Sequence, residues 1–321
     1  MESKVNLLIT GGAGFIGSNL VEHFLADERI GLVRVLDNLS NGYLENIEEF
    51  FDHPKFEFIK GDIRDYKTCL KACEGIDKIT HQAALGSVPR SIENPMQSTE
   101  VNILGTVNLM YAAVQQRVER IVLAFSSSTY GDHPDLPKIE EKIGSPLSPY
   151  AVTKASIEQF AEVFGKTYSL NWIGLRYFNV FGPKQNPDNP YAAVIPIFAK
   201  AFLKGGEITV NGDGETSRDF TYVQNAVQMN DLSLFTINQN ALNQTYNTAC
   251  SDRISLNDMI KELALVTQAT VRVNYGPERK GDVKHSEASI EKAKKYLGYI
   301  PEYSFKKGLS HTIEWYKNNI L

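Results

Sequence analysis

At 321 residues, with 42% hydrophobic and 22% charged, the chain is long enough for a nucleotide-binding domain plus a smaller lobe. It holds no apolar run near the roughly 20 residues that cross a bilayer, so no membrane association is expected. Its formal net charge of −5 offers no basic face to nucleic acid, and an anionic ligand would need locally placed arginines.

Met1-Glu2-Ser3-Lys4 runs directly into an apolar strand without room for a secretory segment, which points to the cytoplasm. That strand, 5–10, leads into Gly11-Gly12-Ala13-Gly14-Phe15-Ile16-Gly17 and an amphipathic helix. Such a turn needs glycine where the backbone bends sharply and where it approaches a pyrophosphate, whose charge meets free amides at the helix N-terminus. Gly11, Gly14, Phe15, Ile16 and Gly17 are therefore candidate dinucleotide contacts. The next strand, 32–36, ends at Asp37-Asn38, twenty residues beyond Gly17. A carboxylate there can accept from the adenosine ribose and repel a 2′-phosphate, which favours NAD over NADP.

Strand 56–60 is followed by Gly61-Asp62-Ile63, and strand 76–80 by His81-Gln82-Ala83-Ala84, both at the carboxyl ends where doubly wound sheets bind ligands. His81 has no second ligand nearby and reads as structural. Cys69 and Cys73 lie four apart in a helical pattern; with Cys250 they make an odd set without zinc-like spacing, so reduced structural thiols and no metal site are expected. A long helix is predicted over 98–116, then strand 120–125, ending in Ser126-Ser127-Ser128-Thr129-Tyr130-Gly131. A second long helix, 149–167, carries Tyr150 and Lys154. Residues four apart share a helix face, so the ammonium can favour the phenolate and make Tyr150 a general base. A serine at the neighbouring strand tip can share the substrate proton: Ser126 first, Ser127 next, with Ser128 facing the substrate.

After strand 172–176 and Gly182 the rhythm changes. Pro183, Pro187 and Pro190 punctuate a loop, followed by a helical stretch 192–204 and a short strand 207–210. The fold expected is α/β: a Rossmann-type doubly wound parallel sheet over residues 1–180, with a smaller C-terminal α/β substrate lobe over 181–321, partly interleaved with the first.

The order of glycine turn, acidic strand end, Gly-Asp, HxAA, serine-rich strand end and YxxxK resembles the extended short-chain dehydrogenase/reductase family. Four further stretches, 84–91, 175–182, 192–196 and 211–220, are similar to bacterial UDP-N-acetylhexosamine 4-epimerases. The resemblance implies a tightly bound NAD, with Asp62 and Ile63 flanking adenine and Gln82, Ala83, Ala84 and Tyr177 along the groove. It also implies a homodimer in which the two long helices pair into a four-helix bundle. The implied UDP-sugar contacts are Gly86, Ser87, Arg90, Ser126, Asn179, Ala193, Val194, Asn211, Arg218, Arg279, Asp282 and Ser286. Arg218 and Arg279 offer bidentate donors to a diphosphate, Asn179 an amide, and Asp282 an acceptor for the uridine ribose. Small Ser286 leaves room for an N-acetyl group, although Ser289 stands where the family pattern continues to Asp.

Dehydratases of the family carry Asp-Glu directly after the catalytic hydroxyl, where this chain has Ser127-Ser128. The reading is thus a 4-epimerase acting on UDP-GlcNAc and UDP-GalNAc, with UDP-glucose, UDP-galactose or the uronic forms as further substrates. The alternatives are a net nucleotide-sugar oxidoreductase or a dehydratase. A silent NAD-binding regulator does not require the Tyr150 and Lys154 pair.

Overall fold

Runs of apolar residues bounded by glycine form strands that must be covered on both faces. In the computed structural model, which describes residues 4–278 and 284–319, the runs found in the sequence become β1 (Val5–Thr10), β2 (Ile30–Asp37), β3 (Phe56–Lys60), β4 (Lys78–His81), β5 (Arg120–Ser126) and β6 (Trp172–Tyr177). They assemble in the order β3-β2-β1-β4-β5-β6, every neighbouring pair parallel. The strand order reverses between β1 and β4, which opens a crevice at the carboxyl ends of the strands.

Alternation along β1 sends Leu7 and Ile9 to one face and Leu8 to the other. The first face is covered by α1 (Phe15–Ala26), the second by α2 (Tyr66–Ala72) and by the long helices. Short α3 (Val88–Glu93) precedes α4 (Pro95–Thr99), which runs through a π-helical turn, Glu100–Gly105, into α5 (Thr106–Gln115). Together α4, the π turn and α5 are the helix expected over 98–116. The second expected helix is α6 (Pro149–Tyr168), begun by Pro149 and capped by Ser148, whose hydroxyl accepts from the Ala151 amide.

Beyond Phe178 the chain builds a second packing centre. Strand β7 (Val180–Phe181) leads to α7 (Val194–Lys204) and β8 (Glu207–Asn211), the helix and strand expected there. Strand β9 (Ser217–Arg218) and β10 (Thr221–Tyr222) follow, the latter pairing β7. The chain then returns to the sheet: α8 (Val223–Phe235) packs beside α1, and β11 (Gln244–Thr248) adds a seventh parallel strand against β6. Strand β12 (Ile254–Ser255) pairs β9, α9 (Leu256–Thr267) follows, and β13 (Arg272–Gly276) pairs β8. Helix α10 (Glu291–Leu297) leans on β11, and α11 (Phe305–Asn319) closes the second centre around Phe181, Phe198, Phe220 and Phe305. No helix among the described residues is long and apolar enough to cross a membrane.

Candidate active site

Strand β1 delivers the glycine turn into the crevice. Gly11 has φ +70°, and a Cβ there would lie 2.7 Å from the Ala83 amide nitrogen; a Cβ on Gly17 would lie 2.0 Å from the Gly11 carbonyl. Both positions admit no side chain. Gly14 is the N-cap of α1 and gives the first turn no side-chain bond, so that turn faces the crevice with its amides uncapped.

The crevice is a cavity of about 920 Å³. Every residue expected at the cofactor lies on its wall, from Gly11, Gly14, Phe15, Ile16 and Gly17 through Asp37, Asn38, Asp62 and Ile63 to Gln82, Ala83, Ala84 and Tyr177. At one end of the cavity Asp37 is buried, its carboxylate accepting from the amides of Ala13 (3.0 Å) and Leu39 (2.8 Å). Burial pushes its pKa up while those amides pull it back. The carboxylate therefore braces the glycine turn besides facing the cavity. Asp62 is held differently. Its pKa is drawn down to about 2, first by the Arg64 guanidinium, with the Asn38 amide also donating to it at 2.8 Å.

At the other end stand Ser126, Tyr150 and Lys154, all on the wall. The Tyr150 hydroxyl looks across at Gly86, where a Cβ would sit 4.0 Å away. Burial pushes the phenol up and the Ser126 hydroxyl pulls it down. Lys154 lies 5.9 Å from the ring centre and donates to the Ala124 carbonyl at 2.8 Å, not to the phenol oxygen. The expectation that Lys154 lowers the phenol is thus corrected for this geometry: burial dominates and Ser126 is the group opposing it. Burial also brings Lys154 down to about 8, against the pull of Glu158 one turn along.

Ser127 and Ser128 fall in a 3₁₀ turn after β5, off the cavity wall. The Ser128 amide donates to Ser126 Oγ at 3.1 Å, while its own buried hydroxyl has no hydrogen-bond partner among the described residues. The expectation that Ser128 faces the substrate therefore gains nothing from the wall. His81 is the structural residue expected. The Thr106 hydroxyl donates to the Asn102 carbonyl (2.6 Å), so it accepts from His81 Nε2–H (2.9 Å), and Nδ1 accepts from Thr10 (2.6 Å). Burial lowers the imidazole to about 3, so it stays neutral. The thiols of Cys69, Cys73 and Cys250 are free, and burial pushes each up to about 12.

Of the residues expected at the sugar nucleotide, Gly86, Ser87, Ser126, Asn179 and Ala193 line the cavity. Arg90, Val194, Asn211, Arg218 and Ser286 stand off the described wall. Arg90 instead donates to Asn41 Oδ1 at 3.1 Å and stacks on the Tyr191 ring at 4.6 Å. Arg218 donates to the carbonyl of its own neighbour Ser217 (2.9 Å), and the Ser286 amide donates to the same carbonyl (3.1 Å). Arg279 and Asp282 lie outside the described residues.

Two buried asparagines escaped the sequence reading. Asn102, in the π turn, accepts from the Leu85 amide (2.8 Å) and donates to the Leu85 carbonyl (3.2 Å) and to Thr153 Oγ1 (3.1 Å), tying the 84–87 loop to α6. Asn230, on α8, donates to Tyr177 Oη at 2.7 Å. The signal for both was an amide inside a helical apolar pattern, a place where asparagine is unfavourable unless it is used.

Comparison with known proteins agrees with this geometry. The family model described as GDP-mannose 4,6 dehydratase matches residues 8–312. A putative UDP-glucose 4-epimerase of Methanocaldococcus jannaschii is 34% identical over 98% of this chain and 99% of its own. The UDP-N-acetylglucosamine 4-epimerase of Methanobrevibacter ruminantium, solved with UDP-N-acetylmuramic acid, superposes with a TM-score of 0.92 at 36% identity, covering 98% of this chain and 99% of that one. The UDP-glucose 4-epimerase of Thermus thermophilus, solved with NAD, gives a TM-score of 0.87 at 34% identity, covering 98% and 99%.

Proposed function

The chain belongs to the extended short-chain dehydrogenase/reductase family through its GDP-mannose 4,6 dehydratase branch, and we propose that it is an NAD-dependent UDP-sugar 4-epimerase, with UDP-GlcNAc and UDP-GalNAc as its first substrates. The observation that carries the reading is the distribution of carboxylates. Among the described residues on the cavity wall the carboxylates are Asp37 and Asp62, both at the adenosine end. Among the described residues no acid stands beside Tyr150 and Ser126 to expel a C6 hydroxyl, which supports proton exchange at C4 over elimination.

The residues fit a dinucleotide: two glycines whose Cβ positions are filled by backbone, an uncapped helix N-terminus for the pyrophosphate, and Asp37 for the ribose. NAD, when bound there, supplies reversible hydride exchange with sugar C4. Tyr150 takes the C4 hydroxyl proton, Ser126 orients that hydroxyl, and Lys154 holds positive charge beneath it. After the 4-keto sugar turns over in the cavity, its opposite face would be presented for return of the hydride to C4, and Tyr150 gives the proton back to the C4 oxygen.

Support for acetamido sugars comes from the small Gly86, Ser87, Ala192 and Ala193 on the wall and from the solved acetamido-sugar epimerase. Lys154 is the one cation among the described wall residues, which favours neutral sugars over uronates. Incubating the purified protein with each UDP-sugar and resolving the C4 epimers tests the reading. We expect interconversion of UDP-GlcNAc and UDP-GalNAc without net NADH. Stoichiometric NADH would make the protein an oxidoreductase, and a 4-keto-6-deoxy product a dehydratase.

A further inference from the structure

We infer that Asn230 is a positioning residue that fixes Gln82 as a hydrogen-bond acceptor toward the bound dinucleotide, an inference that rests on the proposed use of NAD. Asn230 lies fully buried on α8, off the cavity wall, whereas Gln82 and Tyr177 are on it. The three form a closed ring. Asn230 Nδ2 donates to Tyr177 Oη (2.7 Å), Tyr177 donates to Gln82 Oε1 (3.1 Å), and Gln82 Nε2 donates back to Asn230 Oδ1 (3.3 Å). Buried Thr80 completes it, donating to Asn230 Oδ1 (2.7 Å) and accepting from Gln82 Nε2 (2.8 Å).

The direction of the ring is imposed from outside. Asn230 Nδ2 also donates to the Ala226 carbonyl at 2.8 Å, and a backbone carbonyl can do nothing but accept. The amide nitrogen must therefore face Ala226 and Tyr177, which leaves the oxygen facing Thr80 and Gln82. Gln82 has to answer with both N–H bonds, and the Tyr177 proton then goes to Gln82 Oε1. What Gln82 retains for a ligand is a lone pair on that oxygen. A group meeting it must bring a donor, such as an amide N–H or a ribose hydroxyl, both of which a nicotinamide nucleotide carries. Burial pushes the Tyr177 phenol up to about 12, so it keeps its proton and does not rival Tyr150 as a base.

The test is a double-mutant cycle read as the rate at which the holoprotein loses NAD after dilution. We expect Gln82→Ala and Asn230→Ala each to speed release about tenfold, and the double variant to release no faster than Gln82→Ala alone. A purely structural role for Asn230 would show in the unfolding midpoint and would multiply, not vanish, in the Gln82→Ala background. Multiplying rates, or an Asn230→Ala protein that holds NAD like the wild type, overturns the inference. A wild-type protein that takes up no NAD overturns the proposed function itself, which keeps the two failures apart.

Discussion

Tyr150 is the residue on which the chemistry turns, and its surroundings are fixed by neighbours other than the one the sequence suggested. Its backbone amide donates to the buried Ser91 hydroxyl at 3.0 Å, which anchors the first turn of α6 against α3. Replacing Tyr150 with Phe removes the proton acceptor and leaves the glycine turn intact. Turnover should fall by at least about a hundredfold while NAD binding persists; retention of more than about a tenth of the rate would count against the assignment. Asp219 makes a separate prediction. Fully buried, it accepts from the amides of Cys250 (2.9 Å) and Ala288 (3.2 Å), and burial raises it to about 7. The unfolded chain releases this proton near pH 4, whereas the folded chain keeps it toward pH 7. Between those values the folded state binds more protons, so the contribution of Asp219 to stability declines as pH rises. Asn in its place should flatten that part of a stability–pH curve measured by urea unfolding, and an unaltered slope would refute the raised value. In the sequence Asp219 stood only within the stretch 211–220 that resembles the epimerases; that its side chain clamps two backbone segments became visible with the fold.

Elements were legible in the sequence to the degree that burial wrote them there. Strands β1, β2, β3, β5 and β6 carry mostly apolar residues because helices cover both faces, whereas β4 is Lys78-Ile79-Thr80-His81, and a glycine directly follows β1 and β3. The seventh strand, Gln244-Thr245-Tyr246-Asn247-Thr248, reads as polar, since Tyr246 is its one residue in the hydrophobic core and buried Asn247 bonds neighbouring segments instead. Asn247 alone accepts from Tyr130 Oη (2.6 Å) and donates to the carbonyls of Lys138 and Ser289 (3.0 Å each). The π turn inside the 98–116 helix is equally silent, because it preserves the apolar period on either side. The support of α8 could not be read locally either. Its carboxyl end is met by Arg120, more than a hundred residues earlier, which donates to the carbonyls of Ser233 (3.0 Å), Leu234 (2.9 Å) and Thr236 (3.0 Å), with Lys78 donating to Leu234 at 2.9 Å. A buried cation at this end satisfies orphan carbonyls and complements the helix dipole. Arg120→Ala should therefore cost about 3 kcal/mol in denaturant unfolding. A loss below about 1 kcal/mol would mean that water replaces the guanidinium.

At the scale of the whole molecule, one face is conspicuously undercovered. Helix α6 and the α4–α5 pair lie side by side on the sheet, and their outward stripes remain apolar. On α6, Val152 is 49% exposed, Phe160 38% and Val163 53%, spaced so that they fall on one side of the helix. On the neighbouring helix Met96 is 70% exposed, Leu104 49% and Tyr111 40%, again on one side. A contiguous apolar patch of this kind is costly to leave in water and marks an interaction surface. Two helices per subunit meeting across a two-fold axis would bury both stripes against identical partners, the four-helix arrangement expected from the sequence. We propose this homodimer, and light scattering at micromolar concentration should report twice the 35.9 kDa of the chain. Phe160→Glu provides the control. Two-fold symmetry places the new carboxylate in the contact twice, so a single substitution buries two unpaired charges and should leave a folded monomer. If wild type already scatters as a monomer, the apolar stripes do not pair; if Phe160→Glu stays dimeric, the contact lies on another face of the molecule.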